Sequence, residues 1–213
     1  MPDYYFASGE LCRYLESAPP NDKDKELSLR TCMGNGLRPD CWEAFKNRYN
    51  IAKIVEFYGA TEANIALFNS TGKVGALGYI PRMFDFLYPL KLIRTDPNDP
   101  GVPLRDKNGH CIRCKTGEVG LLINAIATKG SSGRFEGYTD ENATNSKILR
   151  DVFKSGDRFF NSGDLMTRDA EGFYYWSDRT GDTFRWVHDN VVMPIQNSLV
   201  FKYKIFLFNN SVR

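Results

Sequence analysis

A hydroxyl and a carboxylate stand side by side at Thr61 and Glu62, directly after Tyr58 and Gly59. Apolar residues lead into this point from residue 51, so a buried strand is expected to end there. A threonine hydroxyl can donate a hydrogen bond to a phosphate oxygen, and Mg²⁺ binds a few carboxylates together with phosphate oxygens. The pair therefore predicts a site for a phosphate ester and its metal ion. A threonine-capped helix with an acidic first turn would also explain it.

Two later groups carry similar chemistry. Residues 161–164 (NSGD) follow an aromatic strand, and Asp164 on a tight turn could accept hydrogen bonds from both hydroxyls of a ribose. Residues 178–182 (DRTGD) combine Arg179, which suits phosphate or ribose oxygens, with the permissive Gly181. Each group alone also fits a simpler structure, an ordinary hairpin turn for the first and a solvated ion pair for the second.

The elements that position these groups follow a strand–helix–strand order. Alternation predicts a strand over residues 27–33, and Gly34, Asn35 and Gly36 end it. A helix is expected over residues 40–49 and a second strand over residues 53–58. This order is typical of a parallel sheet, in which ligands lie beyond the carboxyl ends of the strands. The glycine turns at 34–36 and at Gly59 should therefore converge on one crevice.

The pattern changes after Thr71, where glycines separate short β-rich pieces. We interpret residues 72–124 as an antiparallel β subdomain beside the parallel sheet. Within this subdomain, strands are predicted over residues 89–95 and 118–124. Elsewhere in the chain we expect helices over residues 10–15 and 140–151, and a hairpin-rich region over residues 158–160 and 172–177.

Composition excludes some classes of function. The chain has 213 residues, of which 42% are hydrophobic and 25% charged, as in an ordinary folded soluble protein. A net charge of +2 from 28 basic and 26 acidic residues gives no electrostatic footprint for nucleic acid, so we expect no nucleic-acid partner. No run approaches the ~20 apolar residues of a membrane-spanning helix.

The five cysteines favour a reducing compartment, because their number is odd and their spacing scattered. Cys111 and Cys114 form a lone CxxC pair. A zinc site normally needs four ligands, so incidental surface thiols are favoured over zinc here.

Read in order, the motifs resemble the successive core motifs of adenylate-forming enzymes. The matching segments are residues 58–62, 117–118 with 137–138, 161–165 and 178–182. Residues 33–40 (MGNGLRPD), 56–62 (EFYGATE) and 178–186 (DRTGDTFRW), with 9–15 (GELCRYL), resemble the fatty acid transport protein or very-long-chain acyl-CoA synthetase family more closely. The resemblance runs from about Ser8 to Trp186. It implies an α/β fold that is part of a large N-terminal adenylation domain, with a parallel βαβ portion and an antiparallel β subdomain, ending at the hinge.

In that family ATP activates a long- or very-long-chain fatty acid to an acyl-adenylate, and coenzyme A then displaces AMP. The resemblance therefore implies ATP, Mg²⁺ and coenzyme A as cofactors and co-substrates, a fatty acid substrate, and a link to fatty acid uptake. Two alternatives stay open. One is a ligase for another carboxylic acid, such as a bile acid or a shorter fatty acid. The other is a non-catalytic truncated product.

The resemblance also assigns roles to individual residues. Thr61 would contact the α-phosphate, and Glu62 would hold Mg²⁺. Asp164 would take the ribose hydroxyls, Arg179 would support ribose and phosphate, and Gly181 would be the hinge of the small C-terminal domain. The implied adenine-binding residues are Gly34, Asn35 and Gly36, with Tyr58 and Gly59 lining the adenine and carboxylate region.

Parts of the family pattern have no counterpart in this sequence. They are the Ser/Thr/Gly-rich phosphate loop with its lysine, the N-terminal membrane segment, and the small C-terminal domain with its catalytic lysine. We expect residues 1–186 to form a partial AMP-binding domain with an atypical start at 1–7. Residues 187–213 are expected to be an unrelated or poorly ordered tail. The isolated chain should bind nucleotide weakly and lack ligase activity.

Location follows from the same resemblance. Full-length members lie in the endoplasmic reticulum or plasma membrane, and a homodimer is compatible with the family. Because the sequence shows no spanning segment, we expect this chain by itself to be cytoplasmic, with membrane association confined to the full-length protein.

Overall fold

The computed structural model describes residues 4–26, 29–60, 65–126, 146–180, 183–186 and 189–192. The chain divides into two units, Met1–Asp178 and Arg179–Arg213. The α-helices of the described residues are α1 (Gly9–Ser17) and α2 (Pro39–Arg48), with 3₁₀-helices at Asp22–Glu26 and Arg82–Leu87. The strands are β1 (Tyr4–Ser8), β2 (Thr31–Asn35), β3 (Lys53–Ala60), β4 (Ile65–Asn69), β5 (Gly78–Tyr79), β6 (Leu90–Ile93), β7 (Gly120–Ala125), β8 (Ile148–Arg150), β9 (Arg158–Arg168), β10 (Phe173–Arg179), β11 (Thr183–Trp186) and β12 (Asp189–Val192).

The first sheet has the strand order β1-β2-β3-β4. Strands β1, β2 and β3 are parallel, and β4 returns antiparallel to β3. Helix α2 connects β2 to β3, as the strand–helix–strand pattern predicts. Proline at its first position suits a helix start, because the ring presets the backbone and the missing N–H has no helical partner. Trp42 and Phe45 of α2 are buried in one core with Ile54 of β3.

The second sheet has the strand order β5-β10-β9-β7-β6, and β8 also pairs with β9. The pairs β7–β9, β6–β7 and β8–β9 are antiparallel, so the prediction of an antiparallel β subdomain agrees with the structure. Strand β7 is buried on both faces. Leu122 packs with β4 residues in one core, and Leu121 and Ile123 pack in another. This double burial explains why β7 reads as a continuous apolar run.

Several sequence predictions were wrong. The glycine turn expected at Gly59 lies inside β3, where Gly59 pairs with Ala66 of β4, and the strand expected to end before Gly34 continues through Asn35. The helix expected over residues 140–151 is replaced at Ile148–Arg150 by strand β8, which pairs with β9. The turn expected at residues 161–164 lies inside the eleven-residue strand β9. The surface thiols expected at the CxxC pair do not fit either, because Cys111 is buried and Cys114 is half-buried. Burial raises the pKa of both thiols, to about 12 for Cys114.

The residues taken as an atypical start contribute β1, an edge strand parallel to β2. In the second unit, β11 and β12 pair antiparallel, with Thr183 opposite Val192. Across the described ranges, no helix combines the length and apolar character needed to span a bilayer.

Candidate nucleotide-binding site

Tyr58 and Asp164 meet in the structure although 106 residues separate them in sequence. The Tyr58 hydroxyl, on β3 of the first sheet, donates a hydrogen bond to Oδ2 of Asp164, on β9 of the second sheet. The Asp164 side chain is largely buried, at 7% exposure. A buried carboxylate needs hydrogen-bond donors, and Tyr58 supplies one. The structure therefore brings together two of the predicted site residues.

The backbone around Asp164 is shaped by a bulge. Gly163 adopts a positive φ of 77°, and the pairing of β9 with β7 shifts register between Leu121 and Ile123. Such bulges bend a strand and redirect a side chain, and glycine adopts the required backbone angle readily. Ser162 steadies the bend, because its Oγ donates to the Leu122 carbonyl at 2.8 Å and accepts from the Asp164 N–H at 3.1 Å. Asp164 is thus positioned by strand distortion.

The glycine turn after β2 is held from two sides. Gly36 has a positive φ of 77°, which lets the chain turn sharply between β2 and α2. On one side, Oε1 of Glu56 accepts hydrogen bonds from the N–H groups of Gly36 and of Leu37, the latter at 3.2 Å. On the other side, the start of α1 presses on the turn. A β-carbon added at Gly9 would lie 1.8 Å from the Gly36 carbonyl oxygen.

Glu56 is a site residue to which the sequence analysis gave no role. It is only 1% exposed, and its Oε2 has no hydrogen-bond partner in the described part of the chain. Desolvation raises the pKa of Glu56 from its ordinary 4.5 to about 7, and the hydrogen bonds from Leu37 and Gly36 oppose this shift. The sequence did contain a signal for the burial of Glu56, because this carboxylate lies two residues after the apolar Ile54 and so on the same face of the strand.

Strand β3 links the two halves of the site. Its Glu56 reaches the glycine turn, and its Tyr58, two residues later on the same strand face, reaches Asp164. Gly59 follows and pairs with Ala66 of β4. One face of β3 therefore carries both the side chain that holds a backbone turn and the side chain that holds a buried carboxylate. That combination can accept a flat ring along the turn and a diol at the carboxylate.

Several predicted site residues cannot be placed in this geometry. Thr61, Glu62 and Gly181 lie outside the described residues, so the predicted phosphate and metal contacts are untested. Arg179 begins the second unit, which is described separately from the first. Within the described ranges, no group of three or more His, Cys, Asp or Glu side chains could hold a metal ion.

Comparisons with curated proteins identify relatives over most of the chain. It is 45% identical over 183 residues to long-chain fatty acid transport protein 1 of Mus musculus, covering 86% of this chain and 28% of that protein. It is 41% identical over 209 residues to long-chain fatty acid transport protein 3 of the same organism, covering 96% and 31%. The chain thus spans less than a third of the length of these relatives. No family model matches it.

Solved structures with the same fold include two CoA ligases. A benzoate CoA ligase from Burkholderia xenovorans has a TM-score of 0.58 at 21% identity, with coverage of 87% of this chain and 33% of that one. The anthranilate CoA ligase AuaEII, in complex with anthranoyl-AMP, has a TM-score of 0.59 at 18% identity, with coverage of 86% and 31%. These similarities confirm the predicted fold class, an α/β portion of an adenylation domain.

Proposed function

This chain is homologous to one segment of the long-chain fatty acid transport proteins, and we propose that it builds the nucleotide-binding part of an enzyme that activates long-chain fatty acids. The observation that carries the proposal is the hydrogen bond between Tyr58 and the buried Asp164. It joins residues of two separate motifs, and Glu56, on the same face of β3 as Tyr58, holds the glycine turn after β2.

The described residues would contribute binding and orientation. The Asp164 carboxylate would accept hydrogen bonds from ribose hydroxyls, and Tyr58 would keep it in place. The segment Gly34, Asn35 and Gly36, which forms the end of β2 and the turn after it, would pass along the adenine, where the lack of large side chains permits close approach. Such positioned groups accelerate a reaction because they are already oriented when charge develops.

The remaining roles are those that the family resemblance implies. Thr61 would donate to the α-phosphate of ATP, and Arg179 would support ribose and phosphate. Glu62 would hold Mg²⁺, because a carboxylate beside phosphate oxygens is the donor set that this ion prefers. When bound, Mg²⁺ would neutralise phosphate charge. Coenzyme A would be the final acyl acceptor.

The acid is proposed to be a long-chain fatty acid because the relatives named above are long-chain fatty acid transport proteins. Uptake of the fatty acid would then be coupled to its activation, and the whole protein would work at a membrane. The benzoate and anthranilate ligases share the fold at about a fifth sequence identity, so they favour no particular acid for this chain.

Asp164→Asn provides the test of nucleotide binding. The change keeps the size of the side chain but removes its charge and one acceptor oxygen. Because a hydrogen bond to a charged group contributes ~1.5–3 kcal/mol, we expect the affinity for a non-hydrolysable acyl-adenylate analogue to fall about ten- to hundredfold. Isothermal titration calorimetry on the full chain measures this change.

The matched control is Asp22→Asn, an exposed aspartate in the 3₁₀-helix Asp22–Glu26. It should leave the affinity unchanged. Equal affinity of the Asp164→Asn variant and the unsubstituted chain, or no binding of the analogue to either, would refute the proposed role.

A further inference from the structure

The 3₁₀-helix Arg82–Leu87 exposes large apolar side chains to solvent. Met83 is 74% exposed, Phe86 78% and Leu87 65%, and Phe84 and the following Tyr88 are also exposed. Side chains this exposed project from the surface. A short run of projecting aromatic and aliphatic side chains is costly in water and is typical of a surface that meets another apolar phase.

A positively charged cavity lies beside this helix. It has a volume of about 140 Å³ and contains a single carboxylate among its lining residues, that of Asp85. Its basic lining residues are Arg82, Lys91, Arg113, Lys115 and Arg168. Asp85 pairs with Arg168 at 2.7 Å and lies 3.7 Å from the Lys91 Nζ, so it offsets only part of this charge. The cavity therefore favours an anion.

The geometry of the 3₁₀-helix separates the two features. Three residues make one turn, so Arg82 and Asp85 share a face, and that face lines the cavity. The residues between and after them, Met83, Phe84, Phe86 and Leu87, occupy the other faces and are exposed. One short helix thus presents apolar side chains outward and joins a basic cavity on its inner side.

The cavity is organised before any ligand arrives. The Lys91 Nζ donates to the carbonyls of Asp85 and Tyr88, at 2.6 and 2.8 Å, which fixes the end of the apolar helix. Arg82 donates to the Thr116 hydroxyl at 2.8 Å. The Arg168 Nε is buried and lacks a hydrogen-bond partner within the described residues. Burial lowers the pKa of Lys91, and the charges of Arg113 and Arg168 add to this effect while Asp85 opposes it.

We propose that this surface docks onto a bilayer that contains anionic phospholipid, so that this chain itself would reach a membrane, in contrast to the sequence-based expectation that only the full-length protein does. Met83, Phe86 and Leu87 enter the interfacial layer, and a lipid phosphate is held by the basic side chains of the cavity. Apolar side chains next to clustered Lys and Arg are the combination that binds anionic membrane surfaces. A bilayer accepts projecting side chains of any shape, whereas a protein partner would need a groove complementary to each of them. None of these residues belongs to the site around Tyr58 and Asp164, so docking is separate from nucleotide binding.

Vesicle flotation with the full chain tests the proposal, because bound protein floats while aggregated protein sinks. The probes are vesicles of phosphatidylcholine alone and vesicles with about one third phosphatidylserine. Because each basic side chain near an anionic surface strengthens binding appreciably, we expect at least about tenfold stronger binding to the anionic vesicles. Phe86→Ser/Leu87→Ser should weaken binding to both vesicle types about tenfold or more. Arg113→Gln/Lys115→Gln should reduce the preference for anionic lipid about tenfold, because two of the five basic side chains are removed.

Matched variants at exposed positions elsewhere control for general loss of apolar surface or charge. Phe6→Ser removes a phenylalanine that is 72% exposed, and Lys23→Gln/Lys25→Gln removes two charges. Both should bind like the unsubstituted chain. The proposal is overturned if the unsubstituted chain fails to float, if it binds both vesicle types equally, or if the controls lose as much binding as the site variants. Binding of inorganic phosphate without flotation would also overturn it.

Discussion

Replacing Gly9 with alanine is expected to lower the free energy of unfolding by about 3 kcal/mol, the upper end of the usual cost of overpacking, because the neighbouring atoms are rigid. The new β-carbon would lie 1.8 Å from the Gly36 carbonyl oxygen, 2.1 Å from its carbon and 2.4 Å from the Leu37 nitrogen. All three are backbone atoms, so no side-chain rotation relieves the contact. In the interior of an unobstructed helix, replacing glycine with alanine would raise the stability of the protein by ~1 kcal/mol. The contact with the Gly36 backbone therefore turns an expected gain in stability into a loss. Denaturant unfolding of both proteins measures the difference.

Gly36→Ala is the matched comparison, because it alters the other partner of the same contact. Its β-carbon would meet nothing within 4 Å, although its φ of 77° disfavours alanine. We expect a loss of only about 1–2 kcal/mol, the usual cost of a left-handed non-glycine residue. Equal losses for the two variants would show that α1 does not press on the glycine turn.

Replacing Glu56 with glutamine is expected to remove a component of the pH dependence of stability. The pKa of Glu56 rises from 4.5 to about 7 on folding, because burial disfavours the charged form. The contribution that protonation of Glu56 makes to the stability of the folded chain is therefore fully present below pH 4.5 and is lost as the pH rises through 7. Each unit of difference in pKa between the folded and unfolded states changes the free energy of unfolding by ~1.4 kcal/mol. Between pH 5 and pH 8 the unsubstituted chain should therefore lose about 2–3 kcal/mol of unfolding free energy relative to Glu56→Gln. Unfolding free energies of both proteins at several pH values give this difference.

Taking the difference between the two proteins cancels the titration of every other group. Glutamine keeps an acceptor oxygen for the Gly36 and Leu37 N–H groups, so the turn itself should persist. Glu43→Gln, at an exposed position in α2, should show no pH-dependent difference. A constant difference between Glu56→Gln and the unsubstituted chain from pH 5 to pH 8 would contradict the burial of a titrating carboxyl group.

The two variants act on the same piece of backbone. Gly9 limits how far the turn of Gly36 can move toward α1, and Glu56 holds its N–H groups from the opposite side. If the turn lies along the adenine, both substitutions should also weaken binding of the acyl-adenylate analogue. Asp164→Asn acts on the other end of the proposed site, so its effect should be independent of theirs.

Local patterns were enough to predict the order of elements and the family resemblance. The start of α2 at a proline and the apolar run of β7 each depend on neighbouring residues. The order of motifs also predicted that Tyr58 and Asp164 would belong to one site. These signals are visible in sequence because each depends on residues only a few positions apart.

Long-range pairing lay beyond those patterns. Ile148–Arg150 is a strand because β9 is beside it, and Asp164 points as it does because β9 bulges against β7. Glu56 holds the glycine turn because the two parallel strands place it opposite Gly34. The basic cavity gathers side chains from positions 82 to 168. A sequence records which residues prefer burial, whereas the partner that buries each of them is chosen by contacts between segments far apart in the chain.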